Sequence, residues 1–222
     1  MKEKRQIFIQ RVEKSSIVEK EDVVAAEHQM EITFSDGSSI FVTCTPDHIE
    51  EMILAKKFLA KDFETEELQT YLEGIKKGGS LQKVDLREVF EIARDSFENP
   101  GTLFTETGCA HACALVHRGN VVCCIEDIGR HNALDKVIGY AVKHRISLRE
   151  CYVFTSGRIS GDYLQKVIDA GLPMAVSRAA VTDRAVSLAK ESDITMLGFI
   201  RKNTGNIYHE GAVKLMLRSK DA

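Results

Sequence analysis

The chain of 222 residues is about one and a half times a typical domain, enough for a sizeable core and for one large domain or one domain with a small companion. Hydrophobic residues at 44% and charged residues at 28% exclude a disordered chain, and no apolar run approaches the about 18 residues of a membrane span. The formal net charge of −3 excludes a nucleic-acid binder relying on bulk charge, but it averages two unlike halves: 14 Lys and Arg against 21 Asp and Glu over residues 1–100, and 16 against 12 over residues 101–222.

The opening Met1-Lys2-Glu3-Lys4-Arg5-Gln6 is charged and lacks the apolar stretch of a signal peptide, so a cytoplasmic protein is expected, with no membrane and no nucleic-acid partner. Residues 6–44 read as strands, and Glu31 to Phe34 and Ile40 to Cys44 flank Ser35-Asp36-Gly37-Ser38, an Asp-Gly hairpin signal. A helix follows, with Thr45 as cap, Pro46 in its first turn, and Ile49, Met52, Ile53 and Leu59 as its apolar stripe. Residues 1–80 are thus expected to form a small β-hairpin and helix subdomain, closing on the glycine-rich, charged stretch Gly74 to Ser80, a mobile loop or joint. Residues 81–222 form the main domain.

Within it, a helix over Asp85–Phe97 stops before Asn99-Pro100-Gly101. Strands Ala112–Val116 and Val121–Ile125 flank the turn Arg118-Gly119-Asn120. Then come a helix near Asn132–Lys143, strand Tyr152–Thr155, helix Asp162–Ala170, strand Met174–Ser177, helix Thr182–Lys190 and strand Ile194–Ile200. The apolar tail from Gly211 fits a strand or a helix. This alternation predicts an α/β fold with a largely parallel sheet covered on both faces.

Four strand-end turns carry an arginine: Arg130 after Val121–Ile125, Arg158 after Tyr152–Thr155, Arg178 after Met174–Val176 and Arg201 after Ile194–Ile200. Strand ends of an open parallel sheet share one edge, so the guanidinium groups converge there and suit a ligand with several phosphates, such as a nucleotide or dinucleotide. The bland alternative is that they pair with Glu126, Asp127, Asp162 and Asp183. Ser156-Gly157-Arg158-Ile159-Ser160-Gly161 has the small residues of a phosphate cradle before a helix, but it is neither a Walker loop nor a Gly-x-Gly-x-x-Gly fingerprint.

Six cysteines in a chain without a signal peptide are expected to be reduced. Cys109-Ala110-His111-Ala112-Cys113 puts three reactive side chains at alternate positions, hence on one face if extended. Three readings stand: a zinc site short of its fourth ligand, a thiol site in which His111 favours the thiolate, or plain core. Cys123-Cys124 reads as core, one side chain to each face of the sheet. His131, at a strand end and helix start, is a ligand contact or general acid, or a structural histidine.

Thr107-Gly108-Cys109-Ala110-His111-Ala112, the block from Glu126 to Lys136, and Thr155-Ser156-Gly157-Arg158-Ile159-Ser160 together resemble the FdhD family of formate dehydrogenase accessory proteins. Ala170-Gly171-Leu172-Pro173, Gly198 to Arg201, Asn206-Ile207-Tyr208, Thr43 to Asp47 and Glu27 extend the resemblance over nearly the whole chain. It implies a three-layer, cytidine-deaminase-like α/β fold with a small N-terminal subdomain. It further implies a sulfurtransferase that carries sulfur as a cysteine persulfide from a cysteine desulfurase to the molybdenum cofactor of formate dehydrogenase. The client cofactor, bis(molybdopterin guanine dinucleotide), would bind through its guanine nucleotide, with GDP as a surrogate; a homodimer is a further expectation.

The turns and the resemblance together assign cofactor contacts to Asp127, Arg130, His131 and Asn132, to Ser156, Gly157, Arg158 and Ser160, and to Ser177 and Arg178. By resemblance a last segment maps onto Phe199, Ile200, Arg201, Lys202, Asn203 and Thr204. One departure stands out: family members carry a Cys-Gly-x-Cys-Gly pair in the loop that here reads Gly74 to Ser80 without cysteine. Either Cys109 carries the sulfur, with Cys113 as exchange partner and His111 as polarising neighbour, or the chain keeps cofactor binding alone. A zinc-dependent hydrolase or deaminase is the third and weakest reading, because the Pro-Cys-x-x-Cys pair is missing and position 113 is cysteine where a glutamate is required.

Overall fold

Strands of the second half are apolar at consecutive positions because both of their faces are covered. In the computed structural model, which describes residues 3–75, 79–99 and 101–217, the chain opens with β1 (Lys4–Glu13), β2 (Ser16–Ala25), β3 (His28–Thr33) and β4 (Ser39–Cys44), then α1 (Ile49–Leu59), α2 (Glu66–Ile75), β5 (Lys83–Asp85), α3 (Leu86–Glu98) and α4 (Thr102–Thr107). The larger part continues through β6 (His111–His117), β7 (Asn120–Asp127), α5 (Arg130–Lys143), β8 (Cys151–Thr155), α6 (Gly161–Asp169), β9 (Met174–Ser177), α7 (Asp183–Glu191), β10 (Thr195–Arg201), β11 (Thr204–His209) and β12 (Lys214–Met216).

The main sheet has six strands in the order β11-β10-β9-β8-β6-β7. Cys113, Leu115, Val153, Ala175 and Met196 point to one face and join α5, α6 and α7 in the larger core. Their neighbours Ala114, Val116, Phe154, Val176 and Leu197 point to the other and pack with Val89 and Ala93 of α3. The result is a three-layer α/β fold.

The sheet is mixed, which corrects the largely parallel expectation. β8 with β9 and β9 with β10 are parallel, whereas β6 with β7, β6 with β8 and β10 with β11 are antiparallel. Two of those antiparallel pairs are hairpins, whose short turns at Arg118-Gly119 and Lys202-Asn203 allow no crossover.

Three local readings also change. Thr45 does not cap α1, which starts at Ile49 behind His48 with φ 51 and no side-chain cap; Thr45 is instead buried against Asp127 and Lys136. Gly74 and Ile75 close α2 rather than open a loop, since Leu68, Tyr71 and Leu72 give that helix a buried stripe; residues 76–78 of the predicted mobile stretch, and Pro100, lie outside the described residues. The tail supplies β12, parallel to β5.

α1 and α2 pack on α5 in the larger core. The approach of α1 is close enough that a Cβ at Gly139 would fall on the Glu51 carbonyl oxygen. A buried Asp135 in α5 also takes Lys56 of α1 at 2.7 Å and Lys166 of α6 at 2.6 Å.

Candidate functional site

β7 and β8 are both antiparallel to β6, and β8, β9 and β10 are mutually parallel, so the C-terminal ends of all four lie on one edge together with the N-terminal end of β6. Along that edge the sheet order sets Arg201, Arg178, Arg158, His111 and Arg130 in sequence. The carboxylates that were candidates to neutralise the arginines are engaged elsewhere. Glu126 accepts the Leu103 and Phe104 N–H groups, Asp127 pairs with Lys136, Asp162 takes the Ser160 hydroxyl and lies 3.3 Å from His131, and Asp183 accepts the Arg184 N–H. Arg130 Nε is buried with no hydrogen-bond partner among the described residues, which leaves a donor for an anion.

Side chains of the edge loops hold one another. Ser156 Oγ accepts the Ala112 N–H at 2.9 Å, and Ser177 Oγ donates to Gly157 O at 2.7 Å while accepting the Ala179 N–H at 2.8 Å. Gly157 is required by a close approach: a Cβ there would sit 2.9 Å from Arg130 Cβ and 3.5 Å from His111 Nδ1. Ser160 Oγ lies 3.4 Å from Arg130 Nη2. At the far end, Phe199 adopts φ 52 within the irregular register between Gly198 and Arg201, and the Arg201 guanidinium lies 5.9 Å from its ring centroid. Ile200 is buried in the core, and Lys202, with φ 50, turns the chain into β11, where Thr204 Oγ1 donates to Arg201 O.

A cavity of about 650 Å³ opens on the α3 side of this edge, lined among others by Cys109, His111, Ser156, Arg178, Arg201 and Cys124. That is the size of a small-molecule pocket, room for one nucleotide-sized group. Cys109 is exposed, just ahead of β6, with its N–H donated to Thr107 Oγ1 at 3.1 Å. Arg130 and Arg158 are not among the residues that line the cavity, although the charges of both act on His111.

Cys113 does not join Cys109. Its side chain is 0% exposed on the α5 face, its Sγ lies 3.7 Å from the Tyr163 hydroxyl, and burial pushes its thiol far up from the ordinary value of 9.0. Cys109, His111 and Cys113 therefore do not converge, and no group of three metal-ligating side chains occurs among the described residues. Alternation does split Cys123 and Cys124 between faces, but Cys124 proves exposed on the cavity wall rather than packed in the core. Spacing alone carried no sign of this, because the wall is shaped by α3 and α4.

Asp127 and Asn132 also turn inward. The Asp127 carboxylate, 0% exposed, accepts from Thr45 N and Oγ1, from Gly129 N and from Asn132 Nδ2 and sits 2.7 Å from Lys136 Nζ. Asn132 Nδ2 also donates to Thr43 O at 2.7 Å. These residues hold the Ile128-Gly129 turn that presents Arg130. Thr45 and Lys136 complete the cluster, unforeseen because a threonine beside a proline reads locally as a cap.

Burial, then the Arg130 and Arg158 charges, hold the His111 pKa below its ordinary 6.5. Burial, then Lys166 and Arg130, lower His131 as well. His111 is therefore a neutral acceptor at neutral pH, not a cation beside the thiol. Both groups bind protons less readily folded than unfolded, so the stability they contribute is present above about pH 6.5 and is lost as pH falls below it. Urea midpoints are expected to drop between about pH 7.5 and about pH 5.5, and to drop less in His111→Gln/His131→Gln; equal slopes would contradict this.

Fold and site together define an α/β protein with a thiol-bearing cavity on an arginine-lined strand edge. The chain belongs to the FdhD/NarQ family, whose model matches residues 55–213. It is 35% identical to the sulfur carrier protein FdhD of Wolinella succinogenes, over 82% of this chain and 64% of that protein. It is 38% identical to protein FdhD of Methanocaldococcus jannaschii, over 58% of this chain and 56% of that one. For the sulfur carrier protein FdhD of Geobacillus kaustophilus the identity is 29%, over 88% and 92%. The chain thus spans under two thirds of the first two relatives. A crystal structure of a Desulfotalea psychrophila protein described as a formate dehydrogenase accessory protein superposes with a TM-score of 0.79 at 22% identity, covering 93% of this chain and 96% of that one, which establishes the shared fold. No helix among the described residues is long and apolar enough to cross a membrane.

Proposed function

We propose that this protein carries sulfur, as a persulfide on Cys109, to a molybdenum cofactor that it holds through a guanine dinucleotide, in the maturation of a formate dehydrogenase. The observation that carries the reading is that an exposed cysteine, Cys109, shares one cavity wall with Arg178 and Arg201. Relatives named sulfur carrier proteins support the activity. The Cys109 thiolate attacks the outer sulfur of a cysteine desulfurase persulfide; a new S–S bond forms on Cys109 as the desulfurase S–S bond breaks and its thiolate leaves. In this reading neutral His111, which also lines the cavity, accepts the thiol proton. The strand-end arginines supply planar, bidentate donors for a pyrophosphate.

Incubation with a cysteine desulfurase and cysteine, followed by mass-spectrometric mapping, is expected to find persulfide on Cys109; absence of label on every cysteine would defeat the carrier role. A second reading, cofactor binding without sulfur transfer, is favoured by the missing cysteines of the Gly74 to Ser80 stretch. Both readings predict that Arg178→Ala and Arg201→Ala each weaken GDP binding about tenfold, the loss of one charge-assisted pair; unchanged affinity by calorimetry would remove the nucleotide from this cavity.

A further inference from the structure

A helix as short as α4 does not hold itself in water, and Gly101 gives it no side-chain cap. Its first turn is capped from β7 instead. Glu126 Oε2 accepts the Leu103 N–H at 2.9 Å and Oε1 the Phe104 N–H at 3.0 Å, so one carboxylate satisfies two of the donors that a helix start leaves open. The approach requires glycine: a Cβ at Gly101 would fall on the Glu126 carboxyl carbon. Glu126 itself stands opposite Ala112 in the β6–β7 register, so the cap is delivered from the sheet rather than from a loop.

Hydrogen bonds continue from this cap to the exposed thiol. Thr107 Oγ1 donates to Leu103 O at 2.6 Å and accepts the Cys109 N–H at 3.1 Å. A hydroxyl donates and accepts at once, so the chain from Glu126 through Leu103 and Thr107 to Cys109 is unbroken. Between Thr107 and Cys109 the backbone turns at Gly108, with φ 66, and the Gly108 N–H closes on Phe104 O at 2.7 Å. Cys109 and Ala110 belong to neither α4 nor β6. No other hydrogen bond holds Cys109 among the described residues. The remaining tie on α4, Lys4 Nζ to Glu106 Oε1 at 2.7 Å, is a partly exposed ion pair of the kind that contributes little.

We infer that Glu126 is a positioning residue for sulfur transfer: through α4 and Thr107, its carboxylate fixes where the Cys109 thiol stands in the cavity. The inference rests on the reading of Cys109 as the sulfur carrier. Attack on the outer sulfur of a donor persulfide needs the thiolate in contact with that sulfur and in line with the S–S bond that breaks. A thiol on an untethered two-residue link meets that geometry less often. Glutamine cannot replace Glu126, because it offers one acceptor oxygen and turns its NH2 group towards the second N–H.

Persulfide loading of the full chain, timed at saturating cysteine desulfurase, is expected to slow about tenfold in Glu126→Gln, the loss of one charge-assisted hydrogen bond. Thr107→Val is expected to slow it comparably, and Thr107→Ser, which keeps the hydroxyl, to restore it. Alkylation of Cys109 by iodoacetamide asks only for an accessible thiol and is expected to stay within about twofold of wild type in all three variants. Hydrogen exchange at the Cys109 N–H is expected to be faster in Glu126→Gln and Thr107→Val than in wild type or Thr107→Ser. Wild-type loading and exchange in Thr107→Val overturn the inference. So does Thr107→Ser as slow as Thr107→Val, or loading that falls in step with alkylation, since reactivity or folding rather than position would then have changed. Wild type that takes no label, with the exchange differences intact, defeats the sulfur-carrier reading alone and upholds the Glu126 tether.

Discussion

Cys109→Ser is expected to abolish persulfide loading while leaving GDP affinity within about twofold of wild type. The replacement is close in size and the Cys109 N–H keeps its bond to Thr107 Oγ1, so the cavity wall is retained. A serine hydroxyl, however, is not ionised at neutral pH and cannot hold a sulfane sulfur. Cys113→Ala is expected to leave loading intact, because the Cys113 thiol lies in the core beside Tyr163 with no route to an incoming persulfide. Loading lost in Cys113→Ala at unchanged stability would reinstate that residue as an exchange partner. Label on Cys124 in place of Cys109 would move the carrier across the same cavity.

Lys136→Met is expected to lower unfolding free energy by about 3–5 kcal/mol, the usual cost of stripping one partner from a buried ion pair. Both side chains are 0% exposed, and Lys136 Nζ donates to Thr45 O at 3.1 Å and to Thr45 Oγ1 at 2.7 Å besides pairing with Asp127 at 2.7 Å. Removing the ammonium leaves a buried carboxylate without its counterion and frees the Thr45 segment from α5. Asp127→Asn/Lys136→Met is expected to recover part of the loss, since the charge left behind is then gone. Urea denaturation reads both variants; a loss below about 1 kcal/mol in Lys136→Met would mean that the pair is not needed. The same variant is expected to weaken GDP binding, because Asp127 also accepts the Gly129 N–H that sets the turn carrying Arg130.

The arginine edge was legible in the chain because its logic is local: each strand is an apolar run, each run ends in a polar turn, and the residue at the turn is read directly. Helices α3 and α5 to α7 were legible for the same reason, from short periodic runs bounded by turn residues such as Pro100 and Gly171, and the structure adds that Asp85 and Thr182 cap α3 and α7. α4 escaped, being six residues stabilised at its start by a distant carboxylate, Glu126. The family resemblance came from three runs of residues that lie together on the strand edge.

The amino-acid sequence by itself determined the α/β class, the strand-end arginines, the family and the missing cysteine pair, all of which rest on neighbours within a few residues of one another. Only the tertiary structure decided which cysteine is accessible, because Cys109 and Cys113 look equivalent along the chain and differ solely in what α3, α4, α5 and α6 lay over them. The same holds for Asp127 and Asn132, which read as ligand contacts until Thr45, 82 residues from Asp127 and 91 from Lys136 in the chain, was brought against the Asp127–Lys136 pair by the packing of α1 on α5.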